Sequence, residues 1–159
     1  MMTTDEFRYV AADGPEVQPL LRDLELEYDT RYGALFGKAA TELARYPAER
    51  FAHPDGAFVL LVRDGVAIAG GAFMRFDDHT AEIKRVWTNA AFRSQGLARR
   101  VLAELEDEAQ RRGYTGIHLS TGPRQPEAVR LYIGAGYTPQ YDGSLSPDEV
   151  GIHPFRKEF

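Results

Sequence analysis

The stretch that decides the fold is AEIKRVWTNAAFRSQGLAR, residues 81–99. Residues 81–88 predict a β-strand, and the apolar spacing that begins near residue 97 predicts a helix over residues 97–112. The turn between them, residues 93–99, carries the small residues Gly96 and Ala98, which let a ligand approach the backbone. The start of the helix offers unpaired N–H groups and a partial positive charge, so this turn predicts an anion site suited to a pyrophosphate. Arg93 and Arg99 are expected to add charge-assisted contacts.

The elements around this stretch predict a mixed sheet. Asp64-Gly65 is typical of a two-residue hairpin turn, and Gly70-Gly71 indicates a bulge or a close approach within a strand. Pro126 is typical of the first position of a helix. Because hairpins come first and strand–helix alternation follows, the sheet should contain both kinds of pairing. The predicted strands are residues 7–10, 57–63, 66–76, 81–88, 116–121, 137–141 and 154–159, with further helices over 17–32 and 41–50.

Composition narrows the classes of protein that this sequence can encode. A chain of 159 residues fits one domain, and its balance of 19 basic against 24 acidic residues argues against broad nucleic-acid binding. The absence of cysteine excludes disulfides, cysteine-bound zinc and a thiol nucleophile. The first residues lack the pattern of a secretory signal, and the longest apolar run, residues 57–62, is far too short to cross a membrane. We therefore expect a cytoplasmic protein without membrane or nucleic-acid partners.

Two motifs resemble those of the GNAT acetyltransferases. The strand of residues 81–88 followed by Arg-Ser-Gln-Gly-Leu-Ala at 93–98 is similar to the family's central motif. Residues 125–137 resemble its second signature, with Gln125 in place of the usual Asn. The resemblance implies one N-acetyltransferase domain over residues 5–159, of α/β (α+β) class. Its mostly antiparallel mixed sheet of six to seven strands would be flanked by about four helices and splayed at the cofactor strand.

The resemblance also implies acetyl-coenzyme A as co-substrate, with no metal. Backbone groups of Val86, Trp87 and Thr88 would hold the pantetheine arm and the thioester, and the longer amide of Gln125 would hydrogen-bond the same arm. The pyrophosphate would lie in the turn that follows the strand, which comprises Arg93, Ser94, Gln95, Gly96, Leu97, Ala98 and Arg99.

Acetyl transfer to an amine needs a proton acceptor and a proton donor. Tyr132 matches the family's general acid; its position alone favours a core tyrosine, and the spacing of the whole signature reverses that preference. Glu82 is the candidate base. The alternatives are a glutamate that pairs with Lys84 or Arg75, one that is simply solvated, and a water chain that acts as the base instead. Regular alternation along residues 82–88 places Glu82, Lys84, Val86 and Thr88 on one face, and Ile83, Arg85 and Trp87 on the other, unless a bulge changes the phase.

The acceptor pocket is expected in the less regular parts of the chain. Its candidate residues are Tyr28, Tyr32, Phe73 and Arg75, joined by Arg31, Phe36 and the tail of residues 141–153, and an aromatic pair four residues apart equally suits a helix core. The four histidines have no metal-ligand spacing, and His118 and His153 are candidates for a proton relay.

The sequence therefore predicts an acetyl-CoA-dependent N-acetyltransferase that acts on a small-molecule or peptide amine. Many members of the family form homodimers. Two alternatives stay open: a catalytically idle acyl-CoA sensor of the same fold, and a loop that binds a different nucleotide.

Overall fold

The computed structural model describes residues 4–32 and 46–159, and seven strands in these ranges form one sheet. The sheet order is β1-β2-β3-β4-β5-β7-β6, with β7 inserted between β5 and β6. The strands are β1 (Asp5–Tyr9), β2 (Ala57–Arg63), β3 (Val66–Arg75), β4 (Thr80–Thr88), β5 (Gly116–Thr121), β6 (Thr138–Pro139) and β7 (His153–Glu158). The described helices are α1 (Gln18–Tyr32), α2 (Leu97–Arg111), α3 (Pro126–Gly134) and the short α4 (Pro147–Val150).

Pairing within the sheet is antiparallel except between β4 and β5. The parallel pair arises because β4 continues into α2, which crosses back over the sheet before β5 begins. The Asp64-Gly65 turn joins β2 to β3 as predicted, with both residues at positive φ. The predicted mixed, mostly antiparallel sheet is confirmed.

The helices cover both faces of the sheet. One face packs against α2 through Val101, Leu102 and Leu105, which repeat at helical spacing and are fully buried. The opposite face packs against α1 through Leu20 and Leu24, which lie in a second core cluster. The sheet is thereby anchored on both sides and can hold β4 in a fixed position.

A β-bulge interrupts β4 opposite the predicted glycine pair. Gly70 faces Trp87 and Ala72 faces Lys84, so two residues of β4, Arg85 and Val86, lie opposite Gly71. Arg85 has a φ of 59°, a left-handed conformation that an arginine rarely adopts. Gly71 also admits α2 closely, because a β-carbon there would lie 3.0 Å from the side chain of Leu105.

The bulge corrects the alternation expected for β4. Ile83 and Val86 both pack against the core on the α2 side, whereas Trp87 is buried in the core on the α1 side. Regular alternation had grouped Ile83 with Trp87 and Glu82 with Val86, and the extra residue reverses that grouping beyond Arg85.

The sheet splays open between β4 and β5. The two strands pair only from Thr80 to Glu82 on β4, opposite Gly116 to His118 on β5. Beyond Glu82, the edge of β4 that faces β5 pairs with no strand of the described residues, while β5 continues to pair with β7 as far as Thr121. The predicted splay at the cofactor strand is confirmed.

Some predicted elements differ from those observed. The predicted strand of residues 137–141 shrinks to β6, and α4 was not predicted. Of the predicted helix over residues 41–50, residues 41–45 lie outside the described residues, as do Gly33 and Phe36, and Ala48–Phe51 forms a single 3₁₀ turn. Within residues 4–32 and 46–159, no helix has the length and apolar character needed to cross a membrane.

Candidate active site

A cleft of about 1060 Å³ lies where β4 and β5 separate. Its walls come from β4, the start of α2, the end of β5, α3 and the C-terminal half of α1. The predicted catalytic and cofactor residues that line it are Glu82, Val86, Trp87, Thr88, Arg93, Ser94, Gly96, Leu97, Ala98, Arg99, Gln125 and Tyr132. These residues lie on one continuous surface, although they are up to 50 positions apart in the chain.

The turn before α2 has the geometry of an anion site. Gly96 is the N-cap of α2 with a φ of 72°, and Ser94 has a φ of 65°. The first hydrogen bond of the helix runs from the Arg100 N–H to the Gly96 carbonyl at 3.2 Å, so the preceding N–H groups remain available. No side chain caps this helix start. Its partial positive charge faces the cleft.

The side chains of the turn differ in how they are held. Arg93 lines the cleft and forms no ion pair or hydrogen bond with any residue in the described ranges. Arg99 also lines the cleft, but its guanidinium donates to the Gly134 carbonyl at the end of α3. Gln95 lies outside the cleft lining, where its side chain accepts a hydrogen bond from Arg63 at 3.0 Å. Arg93 is thus the side chain best placed to add charge at the anion site.

Tyr132 on α3 combines burial with a hydroxyl that reaches the cleft. The residue is 7% exposed, and its ring packs 5.6 Å from Phe155 and 6.1 Å from Tyr137. Its hydroxyl has no hydrogen-bond partner in the described part of the chain, yet it is not among the sealed, unsatisfied polar atoms, so it opens into the cleft. Burial raises the pKa of Tyr132 well above its ordinary value, with smaller contributions from Tyr28 and Glu27. The phenol is therefore protonated at neutral pH.

Glu82 lies where the splay begins, with its side chain 13% exposed. Its Oε2 is 3.6 Å from Nζ of Lys84 and 3.8 Å from Nε2 of His118, the residue opposite it on β5. His118 stacks on Phe76 with ring centroids 4.2 Å apart, and burial lowers its pKa despite the nearby Glu82 carboxylate. Glu82 thus lines the cleft, and the histidine beside it favours its neutral form.

Gln125 anchors the loop between β5 and α3. Its side-chain oxygen accepts hydrogen bonds from the Tyr32 hydroxyl at 3.0 Å, the Thr121 hydroxyl at 2.9 Å and the Gly122 N–H at 3.1 Å. The Arg124 N–H in turn donates to the Tyr32 oxygen at 3.3 Å. The Gln125 side-chain nitrogen makes no hydrogen bond to any described residue and remains able to donate to a ligand.

The end of α1 is tied to the same loop by residues that the sequence did not single out for this role. Arg31 donates to the Arg124 carbonyl at 2.7 Å, and Arg124 donates back to the Arg31 carbonyl at 2.9 Å. Arg31 also pairs with Glu27 at 3.3 Å and with Glu127 on α3. No local pattern predicts the contacts of Arg31 with Arg124 and Glu127, because these partners lie more than 90 residues away in the chain.

The predicted acceptor residues divide into two groups. Tyr28 and Tyr32 line the cleft, with ring centroids 6.5 Å apart. Phe73 is fully buried against Tyr114 in the core, and Arg75 pairs with Asp55 at 2.9 Å; both lie outside the cleft lining. Phe73 was a poor candidate because the inward face of a central strand is core.

Tyr46, Lys84 and Arg85 are among the residues that line the cleft but had not been predicted as site residues. The tail contributes Ile152 to the lining. Across residues 4–32 and 46–159, no three histidine or acidic side chains cluster as metal ligands would.

A splayed sheet with an uncapped helix start beside the gap is typical of the acyl-CoA N-acyltransferase fold. The family model described as "Acetyltransferase (GNAT) family" matches residues 20–137, which is most of the chain. The chain therefore belongs to the acetyltransferase (GNAT) family.

Individual relatives agree with this assignment. The chain is 26% identical over 145 residues to the IAA acetyltransferase of Azospirillum brasilense, covering 90% of this chain and 93% of that protein. It is 32% identical over 115 residues to an acetyltransferase of Agrobacterium fabrum, covering 69% and 78%. Its fold is similar to the PaiA N-acetyltransferase of Thermoplasma acidophilum, solved with coenzyme A, at a TM-score of 0.74 and 14% identity, covering 98% and 99% of the two chains.

Proposed function

We propose that this protein is an acetyl-CoA-dependent N-acetyltransferase in which a primary amine attacks the thioester directly. The observation that carries the proposal is the convergence of three features in one cleft. These features are an uncapped helix start, an unpaired strand edge and the accessible hydroxyl of Tyr132. Family membership supports acetyl transfer, and the roles of individual residues follow from the geometry.

The cleft residues fit coenzyme A. The N–H groups at the start of α2, with Arg93 beside them, suit the pyrophosphate. The unpaired edge of β4 suits the two amides of the pantetheine arm, which can bind there as an added strand would. The free amide nitrogen of Gln125 lies across the cleft and can hydrogen-bond the same arm. The cleft volume also matches that of sites that hold large ligands.

The chain's own residues then serve three steps of the reaction. Glu82 takes a proton from the ammonium of the acceptor, directly or through water, which frees the nitrogen lone pair. A backbone N–H at Val86 or Thr88 stabilises the negative charge that develops on the carbonyl oxygen, a contact typically worth about 3 kcal/mol. As the carbon–nitrogen bond forms and the carbon–sulfur bond breaks, the Tyr132 hydroxyl gives its proton to the leaving thiolate. The second proton that the nitrogen loses as it becomes an amide restores the Tyr132 hydroxyl, directly or through water.

Tyr132→Phe tests the acid role, with Tyr137→Phe as a matched control. Tyr137 lies in the same aromatic cluster but outside the cleft lining, and its hydroxyl donates to Glu106 at 2.8 Å. Thiol release from acetyl-CoA is measured over a panel of amines, and acetyl-CoA affinity by calorimetry. We expect Tyr132→Phe to lower turnover by about 10² or more with affinity preserved, and Tyr137→Phe to preserve both.

Wild-type turnover in Tyr132→Phe would show that another group protonates the thiolate. Binding of acetyl-CoA by the wild-type protein without turnover on any amine would favour the sensor alternative over the enzyme. Tighter binding of ATP or NAD than of coenzyme A would show that the turn at Gly96 serves another nucleotide.

A further inference from the structure

The side-chain amide of Gln125 can serve coenzyme A, as the proposed function requires, only while its nitrogen points into the cleft. An amide carries a donor at one end and an acceptor at the other, and the two ends are nearly equal in size. A half-turn about the last side-chain bond would therefore place the oxygen where the nitrogen should be. The contacts around Gln125 decide which end faces the pantetheine arm.

Three groups contact the Gln125 oxygen, and they differ in how strictly they require an acceptor. The Gly122 N–H, 3.1 Å away, can only donate. The Thr121 hydroxyl, 2.9 Å away, can rotate and accept a hydrogen bond instead. The Tyr32 hydroxyl, 3.0 Å away, has the same freedom unless another group already donates to its oxygen.

The backbone of Arg124 directs the Tyr32 hydroxyl towards the donor role. The Arg124 N–H donates to the Tyr32 oxygen at 3.3 Å, so that oxygen accepts from the loop between β5 and α3. A phenol has one proton, and a hydrogen bond accepted by its oxygen strengthens the bond that the proton makes. A chain of hydrogen bonds thus runs from the loop backbone through Tyr32 to the Gln125 oxygen.

The partly buried Tyr32 side chain is fixed by the loop that it contacts. A β-carbon at position 122 would lie 2.1 Å from the Tyr32 hydroxyl oxygen, so only a glycine there lets the hydroxyl come so close to the loop backbone. The preceding residue, Arg31, donates to the Arg124 carbonyl at 2.7 Å, and Arg124 donates to the Arg31 carbonyl at 2.9 Å. The Tyr32 hydroxyl therefore has a defined position against Gln125.

We infer that Tyr32 is a positioning residue for coenzyme A, because it holds the Gln125 oxygen against the loop and thereby turns the Gln125 nitrogen towards the pantetheine arm. Gln125 lines the cleft, and its side-chain nitrogen is neither sealed from solvent nor hydrogen-bonded to any described residue. Tyr32, which the sequence assigned to the acceptor pocket, thus acts on the coenzyme through Gln125. This inference rests on the proposed function, since it needs coenzyme A in the cleft.

The test measures the affinities of two ligands by calorimetry: coenzyme A, and 3′-phospho-ADP, which keeps the pyrophosphate and lacks the pantetheine arm. The proteins are the wild type, Tyr32→Phe, Gln125→Ala, the double variant of these two, and Tyr114→Phe. Tyr114 is the matched control, because its partly buried hydroxyl also donates to an oxygen, the Asp55 carbonyl at 2.7 Å, but lies outside the cleft lining. Circular dichroism checks that each variant is folded.

We expect Tyr32→Phe to weaken the binding of coenzyme A by about three- to tenfold and to leave that of 3′-phospho-ADP unchanged, because only the arm reaches Gln125. Gln125→Ala should weaken coenzyme A binding by at least as much. In the Gln125→Ala background, Tyr32→Phe should have no further effect, since the group that it positions is gone. Tyr114→Phe should bind both ligands as the wild type does.

Three results would overturn the inference and leave the proposed function standing. These are an unchanged affinity of Tyr32→Phe for coenzyme A, an equal loss of affinity for the two ligands, and an equal effect of Tyr32→Phe with and without Gln125. The last two would mean that Tyr32 only maintains the structure of the loop. Failure of the wild-type protein to bind coenzyme A would instead overturn the proposed function, and the inference with it.

Discussion

Gly122→Ala is expected to loosen the contact between α1 and the loop that follows β5. A β-carbon at position 122 would lie 2.1 Å from the Tyr32 hydroxyl oxygen and 2.5 Å from the adjoining ring carbon. Neither distance is possible between real atoms, so the ring or the loop must move. Tyr32 is held by its bond to Gln125, and Arg124 is held by its bond to Tyr32, so a shift breaks contacts on both elements.

The magnitude follows from these contacts. Overpacking typically costs about 1–3 kcal/mol, and each neutral hydrogen bond lost costs about 0.5–1.5 kcal/mol. Movement relieves the overlap at the expense of the bonds, so the two costs do not add in full. Alanine also reduces the conformational entropy of the unfolded chain, which stabilises the folded state by about 0.4–1 kcal/mol. We expect a net loss of about 1–2 kcal/mol in the free energy of unfolding.

Urea unfolding of four proteins forms the assay: wild type, Gly122→Ala, Tyr32→Ala and the double variant. In the Tyr32→Ala background the overlapping ring is gone, so adding Gly122→Ala should cost nothing or be slightly stabilising. The cycle should therefore show a coupling energy of about 1–3 kcal/mol between positions 32 and 122. An unchanged m-value would show that the four proteins expose the same surface area on unfolding.

Equal costs of Gly122→Ala in the two backgrounds would refute this reasoning. That result would mean that the alanine strains the loop backbone itself and that the ring of Tyr32 plays no part. The contact between α1 and the loop would then have to be ascribed to Arg31 and Arg124 alone.

Two further predictions concern stability. Trp87→Phe removes the indole N–H that donates to Asp23 at 3.0 Å and should lower the free energy of unfolding by about 1–3 kcal/mol. Asp23→Asn keeps an acceptor oxygen and should lower it by less. Urea unfolding measures both variants, and equal losses would contradict this account. His118 has its ordinary pKa of 6.5 in the unfolded chain and a lower pKa in the folded state, so the unfolded chain takes up the proton first as the pH falls. The free energy of unfolding should therefore fall as the pH drops below about 6.5. His118→Gln should flatten that fall between pH 7.5 and 5.5. An unchanged slope in His118→Gln would assign the effect to another group.

The sequence predicted the elements whose patterns are local. Residues 97–112 carry an apolar face at helical spacing, and α2 ends within one residue of the predicted bound. The hairpin of β2 and β3 followed from Asp64-Gly65, since both positions of this turn require positive φ. The turn at Gly96 was predictable for the same reason, because a glycine readily adopts the positive φ that this turn requires.

Features that depend on distant partners were not predictable. Nothing in the identity of Arg85 signals a left-handed residue in the middle of a strand; the cue lay on the neighbouring strand, in Gly70-Gly71. The role of Gln125 as an acceptor for Tyr32 depends on two segments that meet only after folding. Arg75 was wrongly predicted to line the acceptor pocket. Its strand was predicted correctly, but its ion-pair partner, Asp55, lies on a loop whose position the strand pattern does not predict.

The extra residue in β4 also gives two parts of one short segment different surroundings. Because the bulge changes the face of the sheet to which the following side chains point, residues only a few positions apart contact different parts of the molecule. Under the proposed function, positions 84 and 85 lie before the change of face, whereas positions 86–88 contact the acyl carrier. An engineer who seeks a new acceptor should vary positions 84 and 85 and leave Glu82, the proposed base, and positions 86–88 unchanged.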